Sequence, residues 1–416
     1  MTTSRSCRLA VLASHPVQYF TPIYQRLAAT PGIDLEVFFC REFGTRPSFD
    51  KQFDRTIVWD TDLLSGFRHR FLWNVSPIRD TFNPLHAINP GAFTRVLRGF
   101  DALWVNGYLY PSNWLAAAAA ALRGTRLLLR SELRVDGDRS RWYDRPRRAV
   151  LRRWILHADA LLYIGQANRD AYVSYGAREE NLFFCPYAGD TRRIRGARFA
   201  DDATRIDALA RWGLPSDRVI VLFAGKLTPR KHPENMLAIA TDPVLENKVH
   251  VVIAGSGPLD ATLKERLRSR GITNVTMTGF VNQSQLPELY ALSDIFVMPS
   301  IGEPWGVVLH EAMTAECAVV VSSEVGAARD LVADGDTGYT FPPTDESRMI
   351  EQVRMLVSDP MRRHRMAAAG RDRAAVFSHD HAVAGVLDAL RALRLFRFLR
   401  VGEPTNPEAD VVASSS

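Results

Sequence analysis

The feature that most constrains this chain is an alternation, run through twice, of short β-branched and aliphatic segments with longer segments of helical periodicity. That pattern specifies βαβ units and parallel sheets. In the first half the predicted strands are Arg8–Ala13, Asp34–Cys40, Ala102–Val105, Arg126–Arg130 and Ala160–Ile164, with helical stretches such as Pro22–Ala29 and Pro111–Leu122 between them. The arginine-rich stretch Asp190–Asp207 lacks a sustained apolar period and reads as a connection plus a surface helix. Strands resume at Val219–Ala224, Val249–Ala254, Val275–Thr278, Asp294–Met298 and Ala318–Ser322. A chain of 416 residues exceeds what one core usually supports, which agrees with two units. The expected fold class is therefore α/β, two facing Rossmann-like doubly wound domains with a cleft between them. The expected boundaries are 1–190 for the first domain, 191–215 for the linker, 216–380 for the second domain, 381–400 for a C-terminal helix and 401–416 for a disordered polar tail.

Composition excludes several classes. The formal charge of +6 would suit an anionic ligand or surface, but 46 acidic residues are interspersed with 52 basic ones and no nucleic-acid module is present, so nucleic acid is not an expected partner. Cys7, Cys40, Cys185 and Cys317 have neither metal-ligand nor disulfide-framework spacing, which points to a reducing, cytoplasmic setting. The apolar runs Leu9–Ala13 and Trp114–Leu122 are too short for a signal h-region and a bilayer span respectively.

In doubly wound sheets ligands sit beyond the carboxyl ends of the strands, so the loops there are the place to look for chemistry. After the strand ending at Met298 comes Ser300-Ile301-Gly302-Glu303-Pro304-Trp305-Gly306-Val307-Val308-Leu309-His310-Glu311-Ala312. Pro304 and Gly306 mark a helix start, which leaves Glu303 in the loop and puts Glu311 in the second helical turn. In one continuous helix the two carboxylates would be ~12 Å apart along the axis, so they serve different parts of a ligand. The amides of Trp305, Gly306 and Val307 are placed to donate to an oxygen-rich group. After the strand Val219–Ala224 comes Gly225-Lys226-Leu227-Thr228-Pro229-Arg230-Lys231. Lys226 and Lys231 are two of only five lysines in an arginine-dominated chain, and a compact ammonium can follow a diphosphate as it leaves. Gly255 and Gly257 form a strand-to-helix turn in Ala254-Gly255-Ser256-Gly257-Pro258, a place where glycine is also required on steric grounds alone. Thr278-Gly279-Phe280-Val281 ends the next strand.

These segments resemble the family-4 glycosyltransferases of the GT-B fold, whose hallmark is two glutamates separated by seven residues at such a strand-to-helix junction. The match is Glu303 and Glu311. The resemblance implies that Glu303, with the loop Pro304, Trp305, Gly306 and Val307, holds hydroxyls of the transferred sugar, and that Glu311 holds the ribose. It implies that Lys226 and Lys231 bind the donor's diphosphate beside Gly225, the position of Lys226 being arginine in most relatives. Gly255, Gly257 and Phe280 match turns near the nucleotide. Lys226, Lys231 and Glu303 are then the catalytic set and the others are donor-binding. No obligatory metal and no further cofactor are implied.

The first half matches more loosely. His15, in Ser14-His15-Pro16-Val17-Gln18-Tyr19, resembles a loop of one branch of these transferases and is an acceptor-side candidate, although a simple loop hydrogen-bonder has the same pattern. Asn106-Gly107-Tyr108 stands where many members carry a histidine, which makes Tyr108 a second candidate, and Glu132 in Arg130-Ser131-Glu132 is a third. Arginines gather with Trp142, Tyr143, Trp154 and Ile155 between 139 and 157. This is a candidate peripheral membrane contact at the inner face, or else a surface helix packed on its own sheet.

The implied activity is retaining transfer of a sugar from a nucleoside diphosphate donor to an acceptor hydroxyl in glycan or glycolipid biosynthesis, the acceptor being a sugar, a lipid-linked sugar or a small molecule. Rival readings are a sugar-nucleotide epimerase on the same fold and a non-catalytic sugar-nucleotide-binding protein. A dinucleotide oxidoreductase lacks its complete Gly-x-Gly-x-x-Gly turn after the first strand.

Overall fold

Apolar runs without polar alternation suit strands covered on both faces, the condition of a parallel sheet between helices. The computed structural model describes residues 6–78, 83–133 and 144–396, and in it such runs build two parallel sheets. The strands of the first half are β1 (Cys7–Ala13), β2 (Ile33–Phe39), β3 (Ser48–Asp50), β4 (Arg55–Ile57), β5 (Arg68–Phe71), β6 (Ala102–Asn106), β7 (Arg126–Arg130), β8 (Ala160–Tyr163) and β9 (Leu182–Phe184). Those of the second are β10 (Val219–Ala224), β11 (Val249–Ala254), β12 (Val275–Gly279), β13 (Ile295–Met298), β14 (Ala318–Ser322) and β15 (Tyr339–Phe341). The sheet orders are β5-β2-β1-β6-β7-β8-β9 and β12-β11-β10-β13-β14-β15. Both are doubly wound, with the order reversing between β1 and β6 and between β10 and β13.

Each strand expected from the sequence forms, with ends displaced by no more than a residue. The unexpected strands are short or polar. In β5, Arg68 and Arg70 lie on the sheet edge and pair with Asp34 and Glu36 of β2, the latter at 2.7 Å, so charge takes the place of an apolar pattern. The antiparallel hairpin β3–β4 belongs to neither main sheet.

One core cluster runs through both domains. It joins Val11, Trp104 and Tyr187 of the first half to Leu222, Tyr290 and Trp305 of the second. The opposite faces of the two sheets are covered by separate clusters. Helices Thr191–Gly196 and Asp202–Arg211 lie in the expected connection and pack on the second domain. Helix His379–Ala392 returns to β8, β9 and helix Thr21–Ala29 of the first, with Arg26 paired to Asp380 at 3.2 Å. Gly385 makes this return possible, because a Cβ there would run into the Phe184 carbonyl. This helix ends at Ala392, short of the expected 400, with Arg394 at φ +59° just beyond it, and residues 397–416, the expected tail 401–416 included, lie outside the described residues.

Of the arginine-rich stretch, Trp142 and Tyr143 also lie outside the described residues. Its helix, Asp144–His157, buries Leu151, Trp154 and Ile155 in the first domain, with Trp154 against Trp114 at 4.2 Å. Its apolar stripe thus packs on its own domain, while Val150 and Leu156 remain exposed. Among the described residues no helix is long and apolar enough to cross a membrane.

Gly385→Ala should cost about 1–3 kcal/mol, because the helix and β9 must separate to admit a methyl group. A thermal melt checks this, and an unchanged melting temperature would mean that the helix does not seat on β9.

Candidate active site

At the switch point between β10 and β13 the two following loops face each other across a crevice. They are stitched together by Ile301 N–H donating to the Arg230 carbonyl at 2.8 Å. Across this seam Lys231 Nζ donates to Glu303 Oε2 at 2.6 Å, and Arg230 lies 3.1 Å from the same oxygen. The Glu303 loop is held from behind as well, since Gly326 N–H donates to the Glu303 carbonyl at 2.9 Å and Glu324 accepts from Gly302 N–H at 2.9 Å. Burial pulls the Lys231 pKa down, and the facing carboxylate opposes that pull.

Gly306, at φ +95°, turns the chain into helix Val307–Thr314, and a Cβ there would press on Met298 and Val325 at 2.9 Å. Leu309 N–H turns back onto the Gly306 carbonyl at 2.9 Å, and Gly306, Val307 and Val308 border the crevice. Glu311 falls in the second turn, as expected, and is buried. It accepts a hydrogen bond from Tyr290 Oη at 3.0 Å. Burial pushes its pKa up to about 7, with the Tyr290 hydrogen bond and Arg193 opposing.

A cavity of about 390 Å³ joins these groups to the first domain. Gly225, Lys226, Lys231, Gly255, Phe280, Glu303, Pro304, Trp305, Gly306, Val307 and Glu311 all line it, together with His15 and Glu132. Trp305 is itself buried against Phe377, ring centroids 5.5 Å apart, so its side chain acts as an anchor for the loop. Gly257 is not in the lining. It is needed for close packing, because a Cβ there would press on Leu227 N at 2.8 Å and on the Gln52 carbonyl at 2.9 Å.

Tyr108 is a second expected residue that the structure does not bring to the cavity. Gly107, at φ +86°, turns the loop so that the Tyr108 carbonyl accepts from Trp114 Nε1 at 2.9 Å, and the ring packs with the cluster on the other face of the sheet. Tyr187, just after β9, stands in the cavity instead and donates to the Glu132 carboxylate. The Arg130 guanidinium lies 4.0 Å from the Tyr187 ring centroid and 4.7 Å from that of Phe20. His15 is hydrogen-bonded to Ser14 Oγ at 2.9 Å, and burial beside Arg41 and Lys226 drops its pKa to about 3. It therefore acts as a neutral hydrogen-bonding group. The sequence reading also missed Asp50, Gln52, Phe53 and Trp59, which reach the cavity from the hairpin and the segment after it.

Residues 16–188 match the model "Glycosyl transferase 4-like domain" and residues 205–373 match "Glycosyl transferases group 1". A GDP-mannose-dependent alpha-(1-6)-phosphatidylinositol monomannoside mannosyltransferase of Mycobacterium tuberculosis is 30% identical over 62% of this chain and 70% of its own length. The chain belongs to the family-4 glycosyltransferases of the GT-B fold. An alpha-D-kanosaminyltransferase of Streptomyces kanamyceticus is 34% identical over 40% of this chain and 43% of its own, so the chain spans under half the length of that relative. Among solved structures, Anabaena Alr3699/HepE in complex with UDP shares the GT-B fold at a TM-score of 0.71 and 15% identity, covering 93% of this chain and 100% of that one. The same protein solved with UDP-glucose gives a TM-score of 0.70 and 16% identity, covering 92% and 99%.

Glu311 yields a pH-dependent prediction. Its folded pKa lies above the ordinary glutamate value of 4.5, so the stability it contributes is present below that value and is lost as pH rises through about 7. Glu311→Gln should therefore stabilise the fold over wild type more at pH 8 than at pH 5, by at most about 3 kcal/mol of unfolding free energy read from melts at the two pH values. An equal effect at both pH values would mean that the carboxyl titrates normally.

Proposed function

We propose that this chain transfers a sugar from a nucleoside diphosphate donor to an acceptor hydroxyl with retention of the anomeric configuration. The observation that carries the reading is the Lys231–Glu303 pair, which puts a cation and a sugar-binding carboxylate 2.6 Å apart at the switch-point crevice. Lys226 and Lys231 grip the diphosphate, helped by the amides of Trp305, Gly306 and Val307. Glu303 accepts from hydroxyls of the transferred sugar and Glu311 from the ribose. A bound diphosphate draws Lys231 toward its oxygens, and Glu303 is then released to the sugar.

The step itself exchanges one bond at the anomeric carbon for another. The bond from that carbon to the diphosphate oxygen breaks, and the electron pair leaves with the diphosphate. The acceptor oxygen bonds on the face being vacated, and its proton passes to the departing phosphate oxygen. Preorganised cations stabilise the charge that collects there, so the step requires neither a protein nucleophile nor a metal. Glu132 with Tyr187, and neutral His15, face this point from the first domain and form the acceptor side. The UDP-glucose complex of the Anabaena protein supports a nucleotide-sugar donor. The acceptor class is a sugar, a lipid-linked sugar or a small polyol, and the setting is the cytoplasm or its membrane face.

Incubation with the matching donor and acceptor should release one free nucleoside diphosphate per bond formed, with the product anomer matching the donor by NMR. Lys231→Ala should lower kcat/KM by about 100-fold, the size of losing one positioned charge in a transition state. Undiminished donor affinity and turnover in that variant would overturn the phosphate assignment, and an epimerised nucleotide sugar without free diphosphate would overturn transfer.

A further inference from the structure

The hairpin β3–β4 and the residues after it leave the first domain and lie across the second, over the loops that follow β10, β11 and β12. Ser256 Oγ donates to the Phe53 carbonyl at 2.9 Å, and Asn282 Nδ2 donates to the Val58 carbonyl at 2.9 Å. Ser284 N–H donates to Asp60 at 3.1 Å. Phe280 is enclosed by Phe53 at 5.1 Å, Trp59 at 6.0 Å and the Arg55 guanidinium at 4.9 Å. The tip of the hairpin reaches Lys226. Its ammonium donates to Asp50 Oδ2 at 3.2 Å and to Gln52 Oε1 at 2.6 Å, and sits 4.8 Å from the centroid of the Phe53 ring.

A carboxylate and an amide oxygen converging on one ammonium present the oxygen chemistry that a phosphate would present. The Asp50 carboxylate cannot stay that close to Lys226 while a diphosphate approaches, because it would repel the incoming anion, whereas the neutral Gln52 amide oxygen carries no such penalty. Asp50 is also divided by function. Its Oδ1 accepts from the amides of Gln52 at 2.7 Å and Phe53 at 3.2 Å and so builds the turn, while Oδ2 faces the lysine.

We propose that Asp50 is an internal anion that competes with the donor for Lys226, making the hairpin a strap that the donor's diphosphate must displace. The proposal rests on Lys226 being a phosphate-binding residue. Its consequence is that donor affinity is set below the value the second domain alone would give, and that donor binding loosens the strap from Phe280 and Ser256.

The test uses Asp50→Asn, which keeps the turn-building oxygen and removes only the charge, beside Lys226→Ala. UDP, GDP, ADP and dTDP, and the corresponding nucleosides, are titrated calorimetrically into both variants and wild type. For the nucleotide that binds wild type, Asp50→Asn should tighten binding about fivefold, a partly buried pair being the thing removed, and should leave the nucleoside unchanged. Lys226→Ala should weaken the same nucleotide. Weakening by Lys226→Ala combined with equal or weaker binding by Asp50→Asn would overturn the strap and leave the phosphate assignment standing. Unchanged binding in Lys226→Ala, or no binding of any of the four nucleotides, would overturn both. Circular dichroism melts of the two variants show that each is folded.

Discussion

The pair formed by Lys231 and Glu303 is the contact on which the rest of this structure turns. Each side chain is only 13% exposed, so both charges have given up most of their hydration to sit at the switch point. Largely buried pairs of this kind add little to stability, because desolvation offsets most of the attraction. What the pair supplies is placement. It fixes a cation on the loop after β10 and an anion on the loop after β13 at the one position in the sheet where the two loops diverge. The backbone bond from Ile301 to Arg230 holds the same seam and keeps the charges in register.

That crevice is completed by the first domain, and the domains are joined closely around it. A Cβ at Gly165 would strike the Trp305 ring, so the loop carrying Glu303 leans directly on the first domain. Asp330 accepts from the Gln166 amide at 2.9 Å, placing an acidic side chain of the second domain at the N-terminus of helix Gln166–Ser174. Next to these, helix His379–Ala392 binds the end of the chain back to the first sheet. The Glu303 loop, the first-domain residues that line the cavity and the returning helix are therefore parts of one packed body.

The second half of this arrangement was legible in the sequence because its chemistry lies next to its structural signals. Lys226 and Lys231 follow a continuous apolar strand, and Pro304 and Gly306 announce the helix that carries Glu311. The first half was less legible for two physical reasons. Which face of a sheet a loop residue joins depends on one backbone torsion, and Gly107 sends Tyr108 away from the cavity while Tyr187, after the three-residue strand β9, enters it. The hairpin contacts are long-range, Asp50 and Lys226 being 176 residues apart, and no local periodicity encodes such a meeting. Gly257 has the residue type of a nucleotide turn but serves the close approach of backbones at Leu227 and Gln52.

In the proposed function the donor's diphosphate sits at the seam between β10 and β13. A crystal structure of the protein with its bound nucleoside diphosphate tests it most directly. Phosphate oxygens are expected within hydrogen-bonding distance of Lys226 Nζ, Lys231 Nζ and the amides of Gly306 and Val307, with the ribose against Glu311. A nucleotide seated elsewhere, with Lys231 still paired to Glu303, would contradict it.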